Sequence, residues 1–173
     1  MTEAGSQVEL SVGELVVYGS HGVGRVMKRH AAAGDRQEAV SLEFAAGLIV
    51  MLPLERARLT LRPLAAEDEL VQVERVLRSD RAADSLSWSK RLRAMQEKVR
   101  TGEIVAWAEI VRDGIKGDQA RSEKGGTPPA PSERQLYLKA RALLAAEVAA
   151  VRATEPDAAD AWLVEQVTGQ VAG

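Results

Sequence analysis

The sequence predicts an α+β protein with two domains, a small β domain in residues 1–64 and an all-helical domain in residues 65–173. Two observations lead to this prediction. Short β-rich runs separated by glycine-containing breaks fill roughly the first 65 residues, whereas apolar residues recur at helical spacing after Pro63. The chain has 173 residues, 46% hydrophobic and 28% charged, which suffices for two small globular domains.

The first domain is predicted to contain four or five short strands that form a small curled antiparallel sheet or barrel. Glycine-containing turns separate the β-rich runs, and Pro53 ends the fourth of them. Tight turns between several short strands are typical of such sheets. The predicted strands cover residues 15–18, 22–29, 39–44, 47–52 and, as a short last strand, 58–61.

The second domain is predicted to form a bundle of four to five helices. Acidic residues at 67–69 lie at the start of the first helix, where the helix dipole favours negative charge. Gly102 is predicted to end the second helix and Gly117 the third. The apolar residues that mark these three helices are Leu70, Val73, Val76 and Leu77, then Trp88, Leu92, Met95 and Val99, then Ile104, Ala108, Val111 and Ile115.

A mobile loop is expected at about residues 117–131, which contain a Gly-Gly pair and three prolines. A capping-box pattern at 132–135 predicts a long helix from there to about residue 152. A further helix start at 154–157 predicts a last helix, which Gly169 ends.

Composition excludes several classes of protein. The net charge of −2 excludes a globally basic nucleic-acid coat protein, although it permits a local basic patch. The absence of cysteine excludes disulfides, cysteine zinc sites and thiol catalysis, and it suits a cytoplasmic protein. The start MTEAGSQVEL has no signal-peptide pattern, and the longest apolar run, residues 44–54, is too short to span a bilayer. We therefore expect a cytoplasmic protein that does not bind membranes.

The sequence offers little for catalysis. No carboxylate lies at ligand spacing from the two histidines, His21 and His30, so we expect no metal and no cofactor. The pattern Gly19-x-x-Gly22-x-Gly24 is similar to a phosphate loop, but it lacks the Lys-Ser/Thr pair and precedes a strand. A turn with a glycine that permits curvature explains the pattern better. No serine has a nucleophile-elbow context, so we expect a protein that is not an enzyme.

Charge is distributed unevenly along the chain, and residues 75–100 form its most basic segment. This segment contains eight basic and three acidic residues, whereas residues 147–173 contain one basic and five acidic residues. A charge-balanced protein with one basic segment has what a local contact with phosphates requires.

Trp88 lies in the basic segment and has two interpretations. At 100° per residue, Leu92, Met95 and Val99 lie within 40° of Trp88, so this side chain can belong to the apolar face that packs in the core. Alternatively, because either of two preceding serines can cap the helix, Trp88 lies in the first turn and can overhang the edge of the domain. The pattern alone leaves both interpretations open.

Basic residues accompany Trp88 on the same predicted helix. Arg91 and Lys98 lie along one flank of Trp88, and Lys90 lies near the helix start. An apolar wedge with cations beside it at a helix N-terminus is what minor-groove binders use to open a base step. A solvated helix face explains the same cations.

The other large apolar residues are less informative. Trp107 and Trp162 lie inside alanine-rich helices, where we expect them to anchor the packing. Met51 and Pro53 end an apolar strand, and the pattern does not decide whether Met51 is buried or exposed.

Four segments of the chain resemble the CarD/CdnL family of bacterial transcription regulators. They are VGELVVYGSHGVGRV, GLIVMLPLERA, SWSKRLRAMQEKVRTGEIVAWAEIVRDG and ERQLYLKARALLAAEVA. The resemblance covers about residues 8–152, and its most specific element is a tryptophan, Trp88, followed by the basic pair Lys90 and Arg91.

The resemblance implies a fold and two binding partners. The N-terminal domain would be a Tudor-like β domain that docks on the lobe of the RNA polymerase β subunit. The implied polymerase-binding residues are Val50, Met51, Leu52 and Pro53. The helical domain would reach promoter DNA at the upstream edge of the transcription bubble.

The resemblance also implies a mechanism without catalysis. Trp88 would wedge into the minor groove and slow the collapse of the bubble, while Lys90, Arg91 and Lys98 would hold phosphates. Such a protein shifts an equilibrium towards the open promoter because it binds one state better. Without polymerase, we expect weak binding to DNA that does not depend on sequence. We also expect a monomer that associates with the nucleoid through polymerase.

Three features depart from the family pattern. Many members carry arginine where this chain has Met51, and a tyrosine is common where it has Leu92. The predicted loop at 117–131 is also longer than the usual connection. The alternative function is therefore a divergent CarD-like paralogue, a protein-interaction module of the same fold that binds a regulatory partner other than polymerase. A small enzyme is a third, disfavoured class.

Overall fold

The computed structural model describes residues 8–80 and 85–169. The chain divides into two compact units, Met1–Leu64 and Ala65–Gly173. Within the described residues, the first unit holds five strands and one short helix, and the second unit holds five helices. The predicted two-domain α+β class is confirmed. Residues 1–7, for which no signal-peptide pattern was predicted, and Arg81 and Asp84 of the basic segment lie outside the described residues.

The β unit is one curled antiparallel sheet with the strand order β4-β3-β2-β1-β5. A register shift between Val26 and Lys28 bends the long strand β2, because a bulge increases local twist. The strands are β1 (Leu15–Tyr18), β2 (Gly22–His30), β3 (Ala39–Glu43), β4 (Ile49–Pro53) and β5 (Leu61–Pro63), and helix α1 (Leu54–Thr60) joins the last two. The core of the unit contains Val16, Val26, Val40, Leu42, Phe44, Leu52, Leu54, Ala57 and Leu61.

The short last strand was predicted three residues too early. Residues 54–60 form helix α1, and strand β5 begins only at Leu61. The segment LERARLT contains good helix formers, and Leu54 and Ala57 are buried one helical turn apart, so packing favours the helix. Helix α1 therefore follows directly on β4, which stays at the edge of the sheet.

The helical unit packs its apolar faces around Trp107, which is fully buried, as predicted. Trp162 is only half-buried, and the Arg152 guanidinium lies 4.0 Å from its ring centroid. The five helices are α2 (Glu67–Arg78), α3 (Trp88–Thr101), α4 (Ile104–Lys124), α5 (Pro131–Arg152) and α6 (Pro156–Thr168). The other large, fully buried side chains of this unit, among the described residues, are Leu70, Leu77, Leu144, Leu163, Glu147 and Val73.

The predicted mobile loop at 117–131 is wrong in extent. Helix α4 continues through Gly117 to Lys124, and the connection to α5 is only residues 125–130. A glycine inside a helix costs only about 1 kcal/mol, and five of the seven residues 118–124 are good helix formers. Gly125 ends the helix instead, with a φ of 72°.

The two capping patterns also do not act as predicted. Helix α5 begins at Pro131 and helix α6 at Pro156, and in neither case does a side chain cap the helix. Proline at the first helical position supplies the right φ and lacks the N–H that would need a cap. The helices themselves and the end of α6 at Gly169 are confirmed.

Gly114 allows α4 and α5 to approach each other. A Cβ at this position would lie 2.1 Å from Cδ2 of Tyr137, whereas a Cβ at Gly117 would meet nothing closer than Nη1 of Arg121 at 3.4 Å. Gly114→Ala should therefore destabilise the helical unit by about 1–3 kcal/mol because of overpacking. Gly117→Ala should be neutral or stabilising by up to about 1 kcal/mol, since alanine favours the helix. Urea denaturation compares the two, and equal stability would contradict the contact with Tyr137.

Candidate nucleic-acid and polymerase interfaces

Strand β4 lies at one edge of the sheet, and no described strand pairs with its outer side. The backbone hydrogen bonds just beyond its two ends show which residues of β4 bond to β3. The N–H of Phe44 donates to the C=O of Leu48, and the N–H of Leu54 donates to the C=O of Glu38, both at 2.8 Å. Because hydrogen-bonded pairs alternate along an antiparallel ladder, the residues between them that bond to β3 are Val50 and Leu52.

The remaining residues of β4 point their backbone groups away from the sheet. Ile49 and Met51 each direct an N–H and a C=O outwards, and Pro53 directs only a C=O, since it has no N–H. This alternating row of donors and acceptors can accept one further strand, and it ends at Pro53.

The side chains of β4 alternate in the same way. Leu52 is 6% exposed and lies in the core, and half-buried Val50 packs against that core, so these two predicted polymerase-binding residues present less side-chain surface than their neighbours. Met51 is 60% exposed, and Pro53 is exposed as well. Ile49, at 64% exposed, belongs to the same surface and was not among the predicted contact residues.

Trp88 is the first residue of α3 and is 51% exposed. The helix begins after Ser87, whose C=O accepts the N–H of Arg91 at 2.9 Å. Along the apolar stripe of α3, exposure falls from Trp88 through half-buried Leu92 and Met95 to Val99, which is buried. The structure therefore favours the overhanging position over the core position.

Two of the predicted phosphate-binding cations have acidic partners. Arg91 Nε lies 2.7 Å from Glu133 Oε1 of α5, and Lys98 Nζ lies 2.6 Å from Glu109 Oε2 of α4. The flank of α3 that carries Arg91 and Lys98 thus faces neighbouring helices. These ion pairs join α3 to the bundle.

Lys90 and Arg93 are exposed on the other side of α3, and neither has an ion pair with any residue that the structure describes. Lys90 was predicted as a site residue, whereas Arg93 was not. The same face carries Glu97, which accepts two hydrogen bonds from Arg100 at 2.9 and 2.6 Å. The hydrogen bond from Arg100 lowers the pKa of the Glu97 carboxyl, so Glu97 stays ionised. Its negative charge and the positive charge of Arg100 cancel each other.

Polar contacts hold the end of the helix that precedes α3. The buried Arg112 guanidinium donates to Ser79 Oγ at 2.8 Å, and Lys116 Nζ donates to the C=O of Ser79 at 2.6 Å. Lys116 also contacts Asp80 at 3.0 Å. These bonds fix the C-terminal end of α2 on α4, the helix against which α3 also lies.

The described residues contain no group of three histidine, aspartate or glutamate side chains placed to hold a metal ion. His30 shares a hydrogen bond of 2.8 Å with Ser41 Oγ, and His21 stacks on Tyr18 with 4.9 Å between ring centroids. The glycine pattern at 19–24 forms a turn into β2, in which a Cβ at Gly24 would lie only 2.6 Å from the Phe44 ring. No helix within 8–80 or 85–169 is long and apolar enough to cross a membrane.

The two units match two family models. Residues 10–65 match the model described as CarD-like/TRCF RID domain, and residues 72–164 match the model described as CarD, C-terminal domain. The RID domain is an RNA polymerase β-interacting domain, so the two matches define a transcription factor that interacts with RNA polymerase. The chain belongs to the CarD family. The resemblance noted in the sequence and the Tudor-like β domain are thereby confirmed.

Proposed function

We propose that this protein docks on the lobe of the RNA polymerase β subunit through β4 and stabilises the open promoter complex through Trp88. One observation supports the DNA contact most strongly. Trp88 is 51% exposed at the start of α3, whereas Trp107 in the same unit is fully buried. An exposed tryptophan at a helix N-terminus, beside basic residues, suits insertion between base pairs in the minor groove at the upstream edge of the bubble.

The proposed phosphate contacts fall into two groups. Lys90 and Arg93 are exposed without ion pairs among the described residues, so they can contact phosphates directly. Arg91 and Lys98 must exchange a carboxylate of α5 or α4 for a phosphate. Such an exchange replaces one ion pair with another and therefore adds little affinity.

The proposed polymerase contact is the addition of a strand to β4. The outward N–H and C=O groups of Ile49 and Met51 would form the backbone ladder, and their exposed side chains would fill apolar pockets on the partner. The partner ladder would stop at Pro53, which has no N–H to donate. Docking here depends on apolar contact, because Met51 stands where many family members carry arginine.

Docking explains how a weak DNA contact can act. Once β4 is bound, the encounter between Trp88 and the promoter is intramolecular and proceeds at a high effective concentration. A protein with a net charge of −2 does not need, and is not expected to have, tight affinity for bare duplex. The bound protein lowers the free energy of the open state by the extra free energy of the Trp88 contact in that state.

The isolated lobe of the polymerase β subunit, immobilised, tests the docking step. We expect it to retain the full chain, and we expect the same protein to prolong the lifetime of open complexes formed by holoenzyme. If neither the lobe nor the holoenzyme retains the protein, the alternative applies, in which a CarD-like paralogue binds another partner. The apolar residue at Met51 is the feature that favours that alternative.

Glu133→Gln should strengthen the binding of bare duplex DNA by about two- to fivefold at low salt. The substitution removes the carboxylate that holds Arg91, and a freed guanidinium contributes about 0.2–1 kcal/mol through one phosphate contact. Wild-type binding should be weak, independent of sequence and lost as salt increases. Fluorescence anisotropy over a salt series measures both effects.

Glu123→Gln is the matched control, since Glu123 is exposed on α4 and has no ion pair with a described residue. It changes the net charge by the same amount without freeing a cation of α3. An equal gain in the two variants would show that total charge, not release of Arg91, determines the affinity. Tight and sequence-selective binding by the wild-type protein alone would contradict the docking mechanism.

A further inference from the structure

Helices α3, α4 and α5 border a cavity of about 320 Å³ that opens at the surface of the helical unit. Its apolar lining includes Leu86, Met95, Ile110 and Tyr137. Trp88 and β4 do not line it, so the proposed function leaves this cavity without a role. Its size is within the range of about 300–1,000 Å³ typical of small-molecule sites.

A missing side chain on α4 helps to keep the cavity open. Gly114 and Gly117 both line it, one helical turn apart. The ring of Tyr137 occupies the space beside Gly114, but a Cβ at Gly117 would meet only the guanidinium of Arg121, at 3.4 Å. A side chain at Gly117 would therefore fill the cavity without disturbing the backbone.

Among the residues that the structure describes, the charged groups around the cavity leave one positive charge unmatched. Three pairs each match one cation with one carboxylate: Arg91 with Glu133, Lys98 with Glu109 and Arg112 with Asp113. Arg121 and Arg134, in contrast, share the single carboxylate of Asp118. The excess cation thus lies at the Arg121 and Arg134 side of the cavity.

Tyr137 lies between this cationic side and the apolar wall. The guanidinium of Arg134 is 5.7 Å from the centroid of the Tyr137 ring, and Arg141 Nη1 donates to the Tyr137 hydroxyl at 2.9 Å. Burial raises the pKa of this hydroxyl, so it stays neutral. The cavity therefore presents an aromatic and aliphatic surface next to guanidinium groups. The neutral hydroxyl of Tyr137 adds no negative charge that would repel an anion.

We propose that this cavity binds a small amphipathic carboxylate with an aliphatic or aromatic body. The carboxylate would accept hydrogen bonds from Arg121 and Arg134, since guanidinium groups bind carboxylates in a planar, charge-assisted geometry. The body would lie against Met95, Ile110 and Tyr137. Because α3 provides part of the wall and begins at Trp88, an occupied cavity restrains the helix that carries the DNA contact. This last consequence, unlike the binding itself, rests on the proposed function.

Three probes with the same eight-carbon body test the assignment on the full chain: octanoate, octanol and octylammonium. Titration calorimetry below their micellar concentrations should show saturable one-to-one binding of octanoate, with a dissociation constant below about 1 mM. We expect octanol to bind more weakly and octylammonium at least tenfold more weakly. Absence of saturable octanoate binding, or equal binding of octylammonium, would overturn the proposal.

Two variants locate the site. Gly117→Leu should abolish octanoate binding by filling the cavity, and it should melt at or above the wild-type temperature, because leucine favours the helix. Arg134→Gln should weaken binding at least fivefold, whereas Lys139→Gln, an equal loss of charge at an exposed position of α5 outside the cavity, should not. Octanoate binding that survives both Gly117→Leu and Arg134→Gln would place the ligand elsewhere and refute the site. None of these measurements needs polymerase or DNA. A negative result would therefore refute the ligand site without bearing on the proposed function.

Discussion

Trp88→Ala is expected to shorten the lifetime of the open promoter complex by about five- to a hundredfold while leaving affinity for the polymerase β lobe unchanged. A contact between a base and an aromatic side chain contributes about 1–3 kcal/mol, which sets this range. The lobe affinity should persist because the proposed docking strand belongs to the other unit. Competitor-challenge kinetics on a promoter measure the lifetime, and retention on the immobilised lobe measures docking.

Exposure makes this substitution informative. A buried aromatic residue replaced by alanine costs about 3–5 kcal/mol, but Trp88 is half exposed and its removal should lower the melting temperature only slightly. Trp107→Ala provides the structural comparison, since Trp107 is fully buried and its loss should unfold the helical unit. Trp88→Phe should keep most of the lifetime, because phenylalanine still stacks. If Trp88→Ala instead loses melting temperature and every activity together, the wedge assignment is wrong and Trp88 is structural.

The fold class could be predicted from the sequence because the spacing of apolar residues shows which side of each helix or strand is buried. The spacing predicted α2 well, since Leu70, Val73 and Leu77 are buried as expected. It could not decide the position of Trp88, because helical angle gives the direction of a side chain but not whether a neighbouring helix extends far enough to cover it. That depends on tertiary packing.

Helix ends were the least accurate part of the fold prediction. Gly117 and Gly125 are both glycines in a segment with other turn-forming residues, yet only Gly125 adopts a positive φ and ends α4. The difference lies in the residues after each glycine, since residues 118–124 continue the helix at little cost. A prediction that treats every glycine as an equally strong helix breaker therefore places the end of α4 too early.

The candidate site was predicted less completely than the fold. In strand β4 every residue is apolar, so alternation is not visible in the sequence, and the exposed Ile49 could not be separated from the buried Leu52. The ion pairs of Arg91 with Glu133 and of Lys98 with Glu109 join residues far apart in the sequence, and no local pattern indicates them. Only once those pairs were known could Arg93, which has no ion pair with a described residue, be recognised as a further candidate cation.

Met51→Glu is expected to weaken binding to the polymerase β lobe by about ten- to a hundredfold without unfolding the protein. The side chain of Met51 is 60% exposed and points away from the core, so a carboxylate there remains hydrated in the free protein. In the docked state, a partner strand on β4 would remove water from that carboxylate without supplying a cation, at a cost of about 1–3 kcal/mol. Retention on the immobilised lobe measures the loss, and thermal melting verifies the fold.

Leu59→Glu controls for charge and for loss of an exposed apolar residue, because Leu59 is 86% exposed on α1 in the same unit. It should bind the lobe like the wild type, since its side chain is not part of the outer edge of β4. If both variants lose binding equally, the affinity for the lobe depends on the net charge of the β unit, and β4 is not the docking strand. If Met51→Glu unfolds the β unit, Met51 belongs to the core, and the edge has been assigned to the wrong face. Selective loss with Met51→Glu, in contrast, requires a partner that lies directly against the outer edge of β4.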